Sequence, residues 1–488
     1  MEEIQFSLLS FRVPLTVSMP NSTEGFTQRA SAELAPAAIA SLEERGLAAL
    51  RDLEIREGDP EARAGIEGIR ASDRSEAYGC IFGRDSLITA LELLSSEETA
   101  RRQDTVRLVA KISRGLAKLQ GTKTNIQNGE QPGKIPHEYR PSGHEHLTGK
   151  EKPDAWFVDP ETGAMISYDS VDSTPLFVLT VARFVRQVGI QNYFDGHMKI
   201  PVRRALAWIS DAIDEDARRE HGTGLLTYTP WKEQQGRTYG GLTAQSWMDS
   251  SESLPPGIRS PIAPVEAQAY AYAALRAGAA MFQESDVAFA ETLNQRANTL
   301  KETFNERFIA RAPEKEEGGV HLYSAIAGDG TPIDNVRSSM GHVLWATWPD
   351  AERKPDGILD EKYVSDVVKR LLQPDLFVPH AGVRTLSSDD EMFKENSYHN
   401  GSVWPHDTFI LSEGLERYGY RAEAQRVRQA LLRALNHFDT PIELFVVDKG
   451  ASDGEYMEYL GSEGQKACRK QAWAAAAMAA GAAMYRKG

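Results

Sequence analysis

Six times along the chain a short polar lead-in passes directly into an apolar helical stretch, and a charged helical stretch separates each of these from the next. The lead-ins are Gly83-Arg84-Asp85-Ser86, Val171-Asp172-Ser173-Thr174, Ser260-Pro261-Ile262-Ala263, Ser338-Ser339-Met340-Gly341, Asn400-Gly401-Ser402-Val403-Trp404-Pro405 and Cys468-Arg469-Lys470-Gln471. Apolar helices need cover on all sides and charged ones on a single stripe, so inner helices wrapped by outer ones satisfy both. Polar residues at six helix N-termini then gather at one end of a barrel. Free backbone N–H groups and helix dipoles there favour bound oxygens and negative charge, which suits a carbohydrate.

The periodicity predicts outer helices at about 36–54, 98–119, 199–215, 285–309, 361–372 and 421–437. Inner helices are expected at about 84–95, 173–187, 263–281, 338–347, 401–417 and 470–486. The fold class is therefore all-α, an (α/α)6 barrel or six-hairpin toroid over residues 35–488, behind an irregular or β-like leader at 1–34. Long segments at 121–170, 217–261, 310–337, 374–400 and 438–468 join outer to inner helices and hold most of the Trp, His and Pro residues. Connections of this length inside a compact domain are usually functional.

Composition narrows the partners. With 70 acidic against 55 basic residues the net charge is −15, and no Lys/Arg block forms the basic footprint of a nucleic-acid binder. No run approaches the ~18 apolar residues of a membrane span. The stretch from Ala472 to Met484 is mostly alanine and suits a close-packed buried helix. Cys80 and Cys468 are too few for a disulfide scaffold or a thiolate metal site, and the N-terminus lacks a secretion signal. A cytoplasmic protein without a cofactor is expected, acting on a small saccharide or glycosyl conjugate and on neither nucleic acid nor membrane.

Glycoside hydrolysis needs two carboxyl groups flanking the scissile bond. Acids in the loops at the presumed site end are Asp85, Asp169, Asp172, Asp249, Glu266, Asp407 and Glu443. Asp172 precedes Ser173-Thr174-Pro175 at an inner-helix start, a position equally suited to N-capping and to catalysis. Glu443 stands among apolar neighbours in Pro441-Ile442-Glu443-Leu444-Phe445, where burial would raise its pKa. Arg84 and Asp85 form either a structural pair or a grip on sugar hydroxyls. Trp404 with His406, and Trp247 with Asp249, combine a flat apolar face with hydrogen-bonding groups, as a pyranose ring requires. His137, Glu138, His144, Glu145 and His146 cluster in a Pro- and Gly-containing loop whose spacing fits no HExxH zinc helix, so no metal is assigned.

Taken in order, Phe82–Ser86, Gln131–Glu138, Ser170–Phe177, Gln245–Ser250, Gly382–Ser387, Tyr398–Asp407, Pro441–Phe445 and Gln471–Trp473 resemble the motifs of bacterial amylo-α-1,6-glucosidase catalytic domains of the glycogen-debranching type and their mannosylglycerate hydrolase-like kin. The resemblance implies an (α/α)6 barrel and an inverting, exo-acting hydrolase for an α-glycosidic bond, such as an α-glucoside. It also implies Asp172 as general acid and Glu443 as general base. Arg84 and Asp85 match sugar-gripping positions, and Trp247, Asp249, His399 and Trp404 match other pocket positions; His137 and His406, in the same motifs, are nominated beside them as substrate-binding residues. Two departures bear on substrate: Ser246-Trp247-Met248 stands where Gly-Trp-Lys is typical, and Val446-Val447-Asp448 follows Glu443 where relatives often show Cys-Gly. The debranching-type relatives also carry a β-rich domain ahead of the barrel, where at most a thirty-residue leader is expected here. An inverting phosphorylase or a silent glycan-binding protein on the same barrel are the alternative readings.

Overall fold

A computed structural model describes residues 34–149, 151–152, 154–189, 191–311, 320–349, 354–450, 455–462 and 464–487. Apart from Leu34, the expected leader at 1–34 lies outside the described residues. The main helices alternate outer and inner in chain order: α1 (Pro36–Leu53), α2 (Gly83–Leu93), α3 (Gln103–Lys118), α4 (Ser173–Val188), α5 (Lys199–Ala217), α6 (Val265–Phe282), α7 (Val287–Arg307), α8 (Ser339–Trp345), α9 (Glu361–Leu371), α10 (Pro405–Arg417), α11 (Arg421–Phe438) and α12 (Ala472–Tyr485).

Each inner helix packs on the next, α2 on α4, α4 on α6, α6 on α8, α8 on α10, α10 on α12, and α12 returns to α2. The ring is closed, and the expected (α/α)6 barrel is what the chain forms. Outer helices cover it: α1 lies on α12, α3 on α2 and α4, α5 on α4 and α6, α7 on α6, α9 on α8, and α11 on α10 and α12.

Residue choice explains which helix goes where. α3 buries Leu108, Val109, Ile112 and Leu116 at three- and four-residue spacing and turns its charges outward. In α12 every residue from Ala472 to Ala483 is buried, as an all-round apolar helix requires. Its small side chains let α1 approach so closely that a Cβ on Gly46 would fall 2.6 Å from the Ala475 carbonyl oxygen. Among the described residues no helix is long and apolar enough to cross a membrane.

Short strands set the polar lead-ins in place. β1 (Ile81–Phe82), β2 (Glu138–Arg140) and β3 (Met165–Ser167) form an antiparallel sheet with Phe82 opposite Glu138 and Glu138 opposite Ser167. β4 (Phe445–Val446) pairs with β5 (Met457–Glu458), and Phe445 also bridges to Val403, which brings the segment after Glu443 beside the start of α10. Asp172 sits at the N-terminus of α4, yet its side chain makes no capping hydrogen bond. The Ser170 hydroxyl accepts from the Ser173 N–H instead, at 3.1 Å, so the capping reading of Asp172 is corrected and its carboxylate is released for other contacts.

Gly83, the hinge between β1 and α2, donates its N–H to the His137 carbonyl at 2.8 Å, and a Cβ there would fall 2.1 Å from the Pro136 carbonyl oxygen. Gly83→Ala is therefore expected to cost about 1–3 kcal/mol through overpacking and to lower activity by displacing Arg84 and Asp85. Denaturant midpoints and initial rates of the variant check both effects.

Candidate active site

At the end of the barrel where the inner helices begin lies a cavity of about 310 Å³. Arg84, Asp85, His137, Trp247, Asp249, His399, Trp404 and Glu443 all line it. Of the residues nominated from sequence, Asp172 and His406 are absent from this wall.

Arg84 organises one side. Its Nε donates to Asp172 Oδ2 at 2.7 Å and its Nη1 to Asp249 Oδ2 at 2.8 Å. The two acids occupy different depths: the Asp172 side chain is 0% exposed and that of Asp249 25%. Both Asp172 oxygens are engaged, since Oδ1 also accepts from the Ser170 hydroxyl at 2.6 Å. Asp172 thus lies beneath the guanidinium, out of the cavity, a correction to its expected place as the acid facing the scissile bond. Burial pushes the Asp249 carboxyl above the usual range, Arg84 pulls the other way, and the nearby Asp172 adds to the rise.

Glu443 occupies another part of the wall. Its Oε1 accepts from the Tyr398 hydroxyl at 2.5 Å and its Oε2 from the Cys468 N–H at 2.8 Å, while its own N–H donates to the Cys468 carbonyl at 2.9 Å. Burial lifts its pKa to about 7 against those two donors. Asp85 accepts from Gln471 Nε2 at 3.1 Å, and burial carries its pKa to about 8, so it is largely protonated at neutral pH. Two neighbouring acids can thus supply hydrogen bonds as well as accept them.

Aromatic rings complete the cavity. Trp404 stacks on His399 with centroids 5.2 Å apart and donates its indole N–H to the Tyr398 carbonyl at 3.0 Å. Trp247 lies flat on His342, 5.4 Å away, and donates to Ser339 Oγ at 3.3 Å. His342 is in turn held by Asp407 at 2.9 Å, which gives that acid a supporting position behind the ring. His399 and His137 are buried and well below their ordinary pKa, hence neutral. His406 stacks on Trp473 at 3.9 Å, fully buried behind the aromatic wall, so its expected contact with substrate is corrected to a packing role.

The sequence reading did not nominate Tyr78, Arg140, Trp156, Tyr398, Gln471 and Trp473 on this wall, and it considered Glu138 and His146 only as metal ligands. Tyr398, Gln471 and Trp473 lay inside motifs already singled out, and Trp156 carried the signal of an aromatic pair, with Phe157, in a long loop. The His137–His146 cluster divides: His137, Glu138 and His146 line the cavity, whereas the His144 ring bonds Thr148 Oγ1 and the Gly163 carbonyl. Among the described residues no group of three or more His, Cys, Asp or Glu is placed to hold a metal. Cys80 and Cys468 are both buried free thiols.

Comparison with known proteins decides the class. Residues 213–455 match the mannosylglycerate hydrolase MGH1-like glycoside hydrolase domain. The chain is a glycoside hydrolase of the mannosylglycerate hydrolase-like group. Solved structures similar to this hydrolase include the GH63 mannosylglycerate hydrolase from Thermus thermophilus in complex with Tris, at 14% identity and TM-score 0.53 over 90% of this chain and 99% of that one. A metal-independent α-mannosidase from Streptococcus pneumoniae, solved with α-1,6-mannobiose, matches at 13% identity and TM-score 0.57 over 92% and 94%. Identities this low speak to the shared fold. A search of curated proteins gave no match.

Because the folded-state pKa of Asp85 is raised from 3.8 to about 8, its contribution to stability is fully present below pH 3.8 and is lost as pH rises through about 8. Asp85→Asn in the hydrolase is expected to flatten the fall in melting temperature between about pH 5 and pH 8.5. Thermal unfolding of both proteins across that range is the check.

Proposed function

We propose that this protein is an inverting, exo-acting hydrolase of short α-glycosides, either α-mannosides or α-glucosides joined to a sugar or small polar aglycone, with Asp249 as general acid and Glu443 as general base. One observation carries the assignment: Asp249 and Glu443 line a single cavity, whereas Asp172 is shut beneath Arg84. Asp249 keeps one oxygen on Arg84 and is partly exposed to the cavity. Its raised pKa supports a protonated carboxyl that delivers its proton to the glycosidic oxygen as the bond breaks. Glu443, oriented by the Tyr398 hydroxyl and the Cys468 N–H, takes a proton from water attacking the anomeric carbon on the opposite face.

The other groups hold the sugar. Arg84 and Asp85 offer charged and hydrogen-bonding contacts to hydroxyls, while Trp247 and Trp404 present apolar surface to the C–H face of the ring. Asp172 acts through Arg84 as a positioning residue, fixing the guanidinium that in turn sets Asp249.

Asp249→Asn and Glu443→Gln are each expected to lower kcat on an ordinary disaccharide by at least ~100-fold, and 1H NMR of the first product formed by the wild type should show the inverted anomer. A glycosyl fluoride needs no protonated leaving group, so it should restore turnover selectively in Asp249→Asn. Restoration in Asp172→Asn with none in Asp249→Asn would return the acid role to Asp172.

Glu443 must be ionised to act as base, so kcat/KM is expected to fall as pH drops below about 7. Azide added to Glu443→Gln should recover rate without that acidic limb. A pH profile of the two proteins measures it.

A further inference from the structure

A second cleft of about 420 Å³, larger than the catalytic cavity, opens between the loops that follow α3 and α5 and the C-terminal half of α5. Its lining includes Asn125, Glu130, Lys134, Trp208, Tyr228 and Gln245. We propose that this cleft is a separate binding site for a neutral saccharide, placed beside the catalytic cavity on two shared loops.

Three observations carry the proposal. Lys134 is more than nine-tenths buried, its ammonium lies over the Trp208 ring, 5.4 Å from the centroid, and Asp169 attracts it without forming an ion pair among the described residues. Burial lowers its pKa to about 8. An ammonium at the wall of a cleft takes its remaining oxygens from water or from a ligand seated there. Gln245 offers the complementary group: its Nε2 is taken by the Thr229 and Leu242 carbonyls, and Oε1 is left as an acceptor. Trp208 donates its indole N–H to Gln131 Oε1 at 2.7 Å, which locks the ring in the wall.

Charge selects the ligand class. Glu130, Asp211, Glu215 and Asp216 stand against only Lys134 and Arg219 along the cleft, a balance that repels phosphates and carboxylates. What remains attractive is a hydroxyl-rich neutral molecule, bonded by an ammonium, amides and hydroxyls beside an aromatic ring. Behind the wall, Arg237 donates to Oε1 of the lining residue Gln234 at 3.1 Å and grips the buried Asp169 through two 2.7 Å hydrogen bonds.

The two sites are physically continuous through the chain. Lys134 faces the cleft and His137 the catalytic cavity; Gln245 faces the cleft, Trp247 and Asp249 the cavity. A sugar seated on Lys134 and Gln245 therefore bears on the same segments that hold the candidate acid.

The test is calorimetric titration of the Glu443→Gln protein with maltose and with α-1,6-mannobiose, repeated with Trp208→Ala or Lys134→Met added. One binding event should weaken at least tenfold in both added variants, with melting temperature and wild-type-background turnover of a small aryl glycoside retained. Lys134→Met keeps the test open should Trp208→Ala fail to fold. Titrations unchanged by either substitution, or the absence of any event sensitive to them with both sugars, would overturn the proposal. Continuing heat from turnover in Glu443→Gln would count against the base assignment and leave the cleft to be judged by the two substitutions.

Discussion

One guanidinium holds the candidate site together. Arg84 comes from the first turn of α2 and bonds Asp172 at the start of α4 and Asp249 in the loop before α6, so three separate parts of the chain meet at one planar group. A fully buried arginine is tolerable only with its charge matched, and here the matching acids are two. The deeper one neutralises and orients; the shallower one faces the cavity. Removing the deep partner would leave the buried guanidinium with half its charge unmatched, so the place of the shallower acid depends on the deeper one.

The barrel makes this convergence possible. Closure of α12 onto α2 turns six inner-helix starts into a ring, and each start delivers polar side chains and free N–H groups to the same end. The short strands β1 to β3 then fix how far each lead-in projects, with Gly83 allowing the backbone to pass Pro136 at a distance no side chain would permit. Burial at this end shifts pKa values in one direction for acids and the other for histidines: Asp85 and Glu443 rise, His137 and His399 fall. The result is a wall whose acids and histidines are neutral or readily neutralised around the charged guanidinium of Arg84.

The helices were legible because their apolar spacing is local: each of the twelve expected segments contains an observed helix, with the ends shifted by a few residues. Eight of the ten nominated site residues do line the cavity, since polar residues ahead of an apolar helix had few other places to go. Asp172 and His406 were harder. Asp172 stands in a helix lead-in and Asp249 in the Gln245–Ser250 motif of the long loop before α6, and which one stands above Arg84 depends on side-chain depth that spacing does not encode. His406 follows Trp404 by two residues, but helix α10 has already begun at Pro405, so the step rotates it behind the ring instead of beside it. Tyr398 and the Cys468 N–H were invisible as partners of Glu443 because the pairing spans 45 and 25 residues respectively.

That last pairing has an architectural meaning. The candidate base is anchored by a peptide group immediately ahead of α12, and α12 is also the helix that joins the first and last hairpins, packing on α1 and α2. The same closure that seals the ring therefore also ties down the Glu443 carboxylate, so the last hairpin couples the integrity of the toroid to the orientation of one side chain at its mouth.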